Sequence, residues 1–274
     1  MRIVKLLGVK FNALTKDQFL ERVKASVQDK NQHLVVTPNP EIVLLAQGLP
    51  RYQEVLNAAS LSVADGTGIL WATTYLNLPK GGKLKSLWQM AYSLLLLLIR
   101  PAFCHKIIPE KITGSDIIWD ICALAAENNW PVFLLGGQTD IAQKAAFLLT
   151  THYSLLTISG TYSGQPFTED DFKIMNKINR AQPKILFVAF GSPKQELWLA
   201  ENLAKLKTVK LAIGIGAGLD YLAGAQKRAP HFLRQRGLEW LWRLISQPKR
   251  WERIYRATLK FCWRIYQEKT GSKK

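Results

Sequence analysis

Short apolar runs that alternate with helix-length segments predict an α/β fold, a mostly parallel, doubly wound sheet with helices on both faces. Two further observations shape that expectation. The apolar runs end in glycine or polar residues, and in such sheets ligands sit beyond the carboxyl ends of the strands. Residues 225–274 depart from the pattern, with 14 Lys and Arg against 3 Glu, so that +11 of the chain's formal +17 lies there. They read as a basic helical appendage to a core of residues 1–224.

The start, MRIVKLLGVKF, lacks a long apolar stretch and a small-residue cleavage site, and reads as a first strand rather than a signal peptide. Thr15 and Gln18 make a capping box for a helix to about Gln28. His33–Thr37 is a short strand halted by Pro38-Asn39-Pro40, and Glu41–Gln47 is helical. Leu61–Ala64 is a strand stopped by Asp65-Gly66, before a helix through Tyr75. Gly114-Ser115-Asp116 opens a helix to about Asn128, with Ser115 or Asp116 as cap. Val132–Leu135 is a buried strand ending at Gly136-Gly137, followed by a helix over Ile141–Leu149. A strand at Leu155–Ser159, a helix around Asp170–Asn179 and a strand at Lys184–Ala189 come next. Gly191-Ser192-Pro193 ends that strand, Lys194 starts a helix, and Val209–Ile215 is the last strand.

An insertion at about 79–111 breaks the alternation. Its apolar run, Leu87–Ile99, is bracketed by Lys83, Lys85 and Arg100 and is too short for a membrane span, which needs roughly 20 apolar residues. A core helix accommodates it. The flanking cations and Trp88 favour a hairpin that dips into a membrane interface.

At 274 residues, with 48% hydrophobic and 21% charged, the chain is an ordinary folded protein, and its pI near 9.9 implies an anionic partner. The cysteines at 104, 122 and 262 have no CxxC spacing, which speaks against disulfides or zinc and for a reducing cytosol. The histidines, His33, His105, His152 and His231, have no metal spacing. There is no GxxxxGK[ST], HExxH or GxSxG motif. Gly214-Ile-Gly216-Ala-Gly218 misses the dinucleotide fingerprint because position 219 is Leu.

Three features remain. Asp65 is either a carboxylate at the ligand-binding edge or the cap of the next helix. Gly191–Glu196 puts small residues, a cation and an amide at a helix N-terminus, where anions bind favourably. Arg243, Arg250 and Arg253, spaced 7 and 3 apart, would share one face of a continuing helix, either clamping a diphosphate or facing solvent. Trp240, Trp242, Trp251, Tyr255 and Trp263 lie among the charges, which suits a surface both anionic and apolar. A membrane interface is one such surface and nucleic acid another, but no nucleic-acid recognition motif occurs, and a catalytically silent membrane module would not need Asp65 and Gln195.

TPNPE (37–41), VADG (63–66), TGSD (113–116), FLLGG (133–137), FGSPKQE (190–196), RAP (228–230), GLEWLWRL (237–244) and PKRWER (248–253) resemble, in order and over nearly the whole chain, the WecG/TagA/CpsF glycosyltransferase family. The resemblance implies a Rossmann-like core whose C-terminal appendage closes the site at the cytoplasmic face of the plasma membrane. It implies inverting, metal-free and cofactor-free transfer of an N-acetylmannosamine-type sugar from a UDP donor to undecaprenyl-diphosphate-N-acetylglucosamine. Asp65 is then the general base, with Thr37 and Asn39 beside it. Gly136, Gly137, Gln195, Asp220 and Arg228 fall to the substrates, and Arg243, Arg250 and Arg253 to the diphosphates. Partners would be the UDP-sugar, the polyprenyl-diphosphate acceptor and an anionic membrane surface, not nucleic acid, with homo-oligomerisation left open. The insertion is the departure, since family members carry a much shorter link there.

The chemistry fits independently. Inverting transfer needs a base for the acceptor hydroxyl, a carboxylate's usual task. No Asp-x-Asp pair stands ready for a metal (Glu169-Asp170-Asp171 is a contiguous run at a helix start), so arginines and helix N-termini must neutralise the leaving diphosphate.

Overall fold

The computed structural model describes residues 1–168 and 170–272; Glu169, Lys273, Lys274 and the side chain of His231 lie outside the described residues. The chain opens with an antiparallel hairpin, β1 (Ile3–Leu6) and β2 (Val9–Asn12), where the sequence suggested one strand. Leu7 and Gly8, at φ 48° and 84°, turn the chain in two residues, a twist that matches right-handed strands. Asn12 Oδ1 accepts from the Ser62 backbone N–H at 2.7 Å, which fastens the hairpin beside the edge of the main sheet.

Helix α1 (Lys16–Gln28) starts with the expected capping box of Thr15 and Gln18. β3 (His33–Val36) leads to α2 (Pro40–Gly48), capped by Asn39 Oδ1 accepting from Ile42 N at 3.0 Å. An unforeseen helix follows, α3 (Pro50–Ala58), because Pro50 sits at its first turn, where the missing N–H costs nothing. β4 (Leu61–Ser62), α4 (Thr67–Leu76), α5 (Lys83–Ile99) and a 3-10 turn at Pro101–Lys106 come next. Helix α6 (Gly114–Glu127) is preceded by Thr113 as N-cap, not Ser115 or Asp116, which leaves the Asp116 carboxylate free for other partners.

β5 (Val132–Gly136), α7 (Ile141–His152), β6 (Ile158–Tyr162), α8 (Asp170–Ala181), β7 (Ile185–Ala189), α9 (Lys194–Asn202) and β8 (Leu211–Gly214) complete the alternation. β6 lies three residues later than its apolar run suggested, because the ladder begins where Ile158 meets Val132. Six strands form one all-parallel sheet in the order β4-β3-β8-β7-β5-β6, the expected α/β architecture. Leu134, Ile185, Phe187, Leu211 and Ile213 face one helical layer; Phe133, Leu135, Leu186, Val188 and Ala212 face the other. Burial on both faces explains why these strands read as unbroken apolar runs.

The C-terminal segment holds α10 (Gly218–Leu222), α11 (His231–Gln235), α12 (Glu239–Ser246), α13 (Trp251–Tyr255) and α14 (Phe261–Thr270). A π-helical stretch, Arg256–Lys260, joins the last two. Pro248 breaks the helix between α12 and α13, so the continuing helix expected under Arg243, Arg250 and Arg253 does not form. Phe261 and Ile265 are buried in one core cluster with Trp71, Tyr75 and Leu97, which ties the end of the chain to α4 and α5.

Helix α5 buries Ser86, Gln89 and Ser93 together with Leu97, whereas Leu84, Leu87, Trp88, Leu95, Leu98 and Ile99 are exposed. The Trp71 indole donates to Ser93 Oγ at 2.9 Å, and the Tyr75 hydroxyl donates to the Ser86 carbonyl at 3.0 Å. Ser93→Ala would leave a buried indole N–H without an acceptor. It should lower stability by about 1–3 kcal/mol, read as a lower urea midpoint at unchanged slope.

Candidate active site

Parallel strands deliver their carboxyl ends to one edge, and the residues that follow β3 and β4 build the site there. Asp65 directly follows the buried pair Val63-Ala64, with its N–H donating to the Pro38 carbonyl at 3.1 Å. Gly66 holds φ 104° and ψ 145°, open only to glycine, and aims the chain into α4. The appendage approaches this corner closely. A Cβ on Gly237 would lie 2.6 Å from Thr67 Oγ1, so only glycine lets the segment reach α4 at that point.

Between them lies a pocket of about 360 Å³. Its polar part holds Asp65, Glu41 and Glu239 with Lys111, Arg234, Arg243, Arg250 and Arg253, five cationic side chains against three carboxylates. Arg253 grips Glu41 with two hydrogen bonds, at 2.7 and 3.1 Å. Arg243 Nε donates to Glu239 Oε1 at 3.1 Å. Among the described residues, the Arg250 side chain has neither a hydrogen bond nor a salt bridge, so its guanidinium stays available to a ligand. Burial pushes the Asp65 carboxyl up to about 7; Glu239 adds to the push, while Arg243 and Lys111 draw it back. Near neutral pH such a group can both hold and release a proton.

The pocket therefore brings together Asp65, Asn39, Arg243, Arg250 and Arg253. The other expected site residues stand around it. Thr37 is buried against Gly114 at the start of α6. Asp220, on α10, is half-buried; burial raises its carboxyl and Arg250 draws it down. Arg228 is paired with Asp116, which also accepts from Thr113 Oγ1 at 2.6 Å and has Arg234 Nη1 at 3.9 Å. Burial opposes ionisation of Asp116, but these donors hold it below the usual carboxylate range. Gly136 ends β5 and Gly137 follows it, farther along the same edge.

Gln195 is turned inward. Its Oε1 accepts from the Gly191 and Gly216 backbone at 3.2 and 3.0 Å, and its Nε2 donates to Glu196 at 2.8 Å. Glu196, itself buried, also accepts from Tyr52 at 3.1 Å and Ser192 at 2.9 Å. The pair braces the loops after β7 and β8 from behind the edge.

Sequence reasoning missed Lys111, Arg234 and the carboxylates Glu41 and Glu239. Only Glu239 left a usable signal, its four-residue spacing to Arg243. Among the described residues, no three His, Cys, Asp or Glu side chains gather closely enough to hold a metal ion, and no helix is long and apolar enough to cross a membrane.

The Asp65 carboxyl titrates near 7 in the fold against 3.8 ordinarily, so the fold binds the extra proton and its stability falls as pH rises from about 4 through 7. Asp65→Asn removes that cost. Its thermal midpoint at pH 8 should exceed wild type, by roughly 2–4 °C for each kcal/mol recovered, with the gap closing toward pH 4 in a calorimetric series.

Comparison with known proteins points one way. The model of the glycosyl transferase WecG/TagA/CpsF family matches residues 4–95 and 93–274, two segments that meet inside α5. A Staphylococcus aureus (strain MRSA252) protein named N-acetylglucosaminyldiphosphoundecaprenol N-acetyl-beta-D-mannosaminyltransferase is 30% identical over 273 residues, spanning 99% of this chain and 95% of its own. Its namesakes from strains MW2 and NCTC 8325 are each 29% identical over the same spans.

Proposed function

The chain belongs to the WecG/TagA/CpsF family of glycosyltransferases, and from that premise we propose that it moves an N-acetylmannosamine-type sugar from a UDP donor to undecaprenyl-diphosphate-N-acetylglucosamine, with inversion and without a metal. The observation that carries the reading is Asp65, a carboxyl raised to about 7, in a pocket walled by cations.

Asp65 takes the proton of an acceptor-sugar hydroxyl while that oxygen attacks the donor's anomeric carbon. The new carbon–oxygen bond forms on the face opposite the departing UDP, which leaves with the electron pair of the broken bond. Arg250 meets the acceptor diphosphate, and Arg243 and Arg253 are held in place by Glu239 and Glu41 to help it. Pre-paired guanidiniums need little reordering when the anion arrives, which favours fixed dipoles over solvent. The loops at Gly191 and Gly216 leave open space in front of the backbone, room for the donor beside Thr37, Gly136 and Gly137.

The arginines converge on a concave pocket with carboxylates among them, a geometry for one compact polyanion. An extended nucleic-acid backbone calls for an open basic track instead. The enzyme works as a peripheral protein on the inner face of the plasma membrane, with the outward apolar side of α5 and exposed Trp251 and Trp263 against lipid.

Incubation with a panel of UDP-sugars and a short-chain lipid-diphosphate-GlcNAc acceptor, read by mass spectrometry, tests the activity. No transfer from any donor would remove the proposal. Asp65→Asn should lower kcat ~10²-fold or more in a folded protein. In the wild type, kcat/KM should rise with pH to a plateau above about 7, because the base must be ionised, and the variant should lack that limb.

Arg250→Ala should lower kcat/KM by about tenfold or more on the short-chain acceptor, where membrane docking plays no part, as expected for loss of a charge-assisted contact. A defect confined to liposome-borne acceptor would make Arg250 a headgroup anchor.

A further inference from the structure

The pocket has a second half that glycosyl transfer does not use. Beyond the arginines its wall turns apolar: Leu94 and Leu97 from α5, Trp71 from α4, and Ile254, Leu259 and Phe261 from the α13–α14 stretch. Leu259 stands at the rim, 68% exposed, on the π-helical stretch. One helical turn past Leu94, Leu98 is exposed, and Leu95 and Ile99 flank it on the outside of α5. This apolar groove follows α4: Asp65 precedes that helix, Gly68 on its first turn faces Phe261, and Trp71 on the next donates to Ser93 of α5.

We propose that this groove holds the isoprene units of the acceptor nearest its diphosphate, and that α5 is one wall of a prenyl-chain site. The inference rests on the reading above, that the acceptor is a lipid diphosphate. Its three parts, sugar, diphosphate and hydrocarbon, match the three kinds of group that line the pocket, carboxylate, guanidiniums and apolar side chains. The inverted packing of α5 serves the same end. With Ser86, Gln89 and Ser93 turned to the protein, the helix gives Leu94 and Leu97 to the pocket wall and Leu95, Leu98 and Ile99 to the surface. An apolar groove beside an anion site favours amphiphiles whose charge and chain are joined, because both contacts form without a second loss of freedom.

Calorimetric binding of farnesyl diphosphate and of inorganic pyrophosphate to the full-length protein tests this. Wild type should bind farnesyl diphosphate about tenfold more tightly or better. Leu94→Trp, which fills the groove, and Leu259→Glu, at an exposed position that tolerates charge, should each cut that ratio several-fold. An unchanged ratio in folded Leu259→Glu, or no preference in wild type, overturns the groove. So does loss of phospholipid-vesicle binding with the ratio kept, which would assign these side chains to bilayer acyl chains. If the ratio behaves as expected but no sugar is transferred, the lipid-diphosphate site stands and the glycosyl-transfer reading falls. Transfer that depends on Asp65, without a farnesyl preference, has the opposite meaning.

Discussion

The site is shaped by the close approach of the basic C-terminal segment to the start of α4, at Gly237 and Thr67. Asp65 stands at the open edge of the sheet, where water would keep a carboxylate at its ordinary acidity. Gly237, at φ 71° and without a side chain, suits this close approach. That approach brings Glu239 and Arg243 beside Asp65 and takes its carboxyl out of water. The raised pKa of Asp65 and most of the cationic wall therefore depend on the segment that covers this corner.

The charges behind that contact are arranged to be strong without being self-destructive. Five cations around one anion-binding volume would repel one another if left bare. Glu41 and Glu239 offset two of them and fix their direction, and Asp116 takes up Arg228 with Arg234 close by. Arg250 is left as the guanidinium without a described partner, near the half-buried Asp220. A pocket so balanced holds a doubly charged ligand more readily than it holds scattered surface anions, because its remaining positive charge is directed and partly shielded from salt.

Helix α5 answers a different demand. In water an amphipathic helix buries leucine and exposes serine; here Ser86 and Ser93 are buried beside Leu97, while Leu84, Leu87, Leu95 and Leu98 face outward. Small polar side chains allow tight approach and give Trp71 an acceptor, whereas the outward face suits an apolar surrounding. The two segments of the family match overlap within this helix, at residues 93–95.

Much of this was legible in the chain itself. Strand-helix alternation determines the parallel sheet, because burial on both faces demands unbroken apolar runs and parallel pairing demands crossovers. Thr15 with Gln18, and Asn39 ahead of Ile42, write their caps locally. Asp65 was visible as a carboxylate after a strand and before a glycine. The first hairpin was not resolved from one strand, since a two-residue turn at Leu7-Gly8 leaves almost no polar interruption. Spacing put Arg243, Arg250 and Arg253 together on one face of a continuing helix, but that helix is broken at Pro248. They converge through the fold of the segment around α4, and Lys111 and Arg234 join them from places unrelated in sequence. Inward-facing serines on α5, and a Gln195 turned to brace its own loops, were decided the same way. Periodicity says that a face exists; only packing against other elements decides which way it looks.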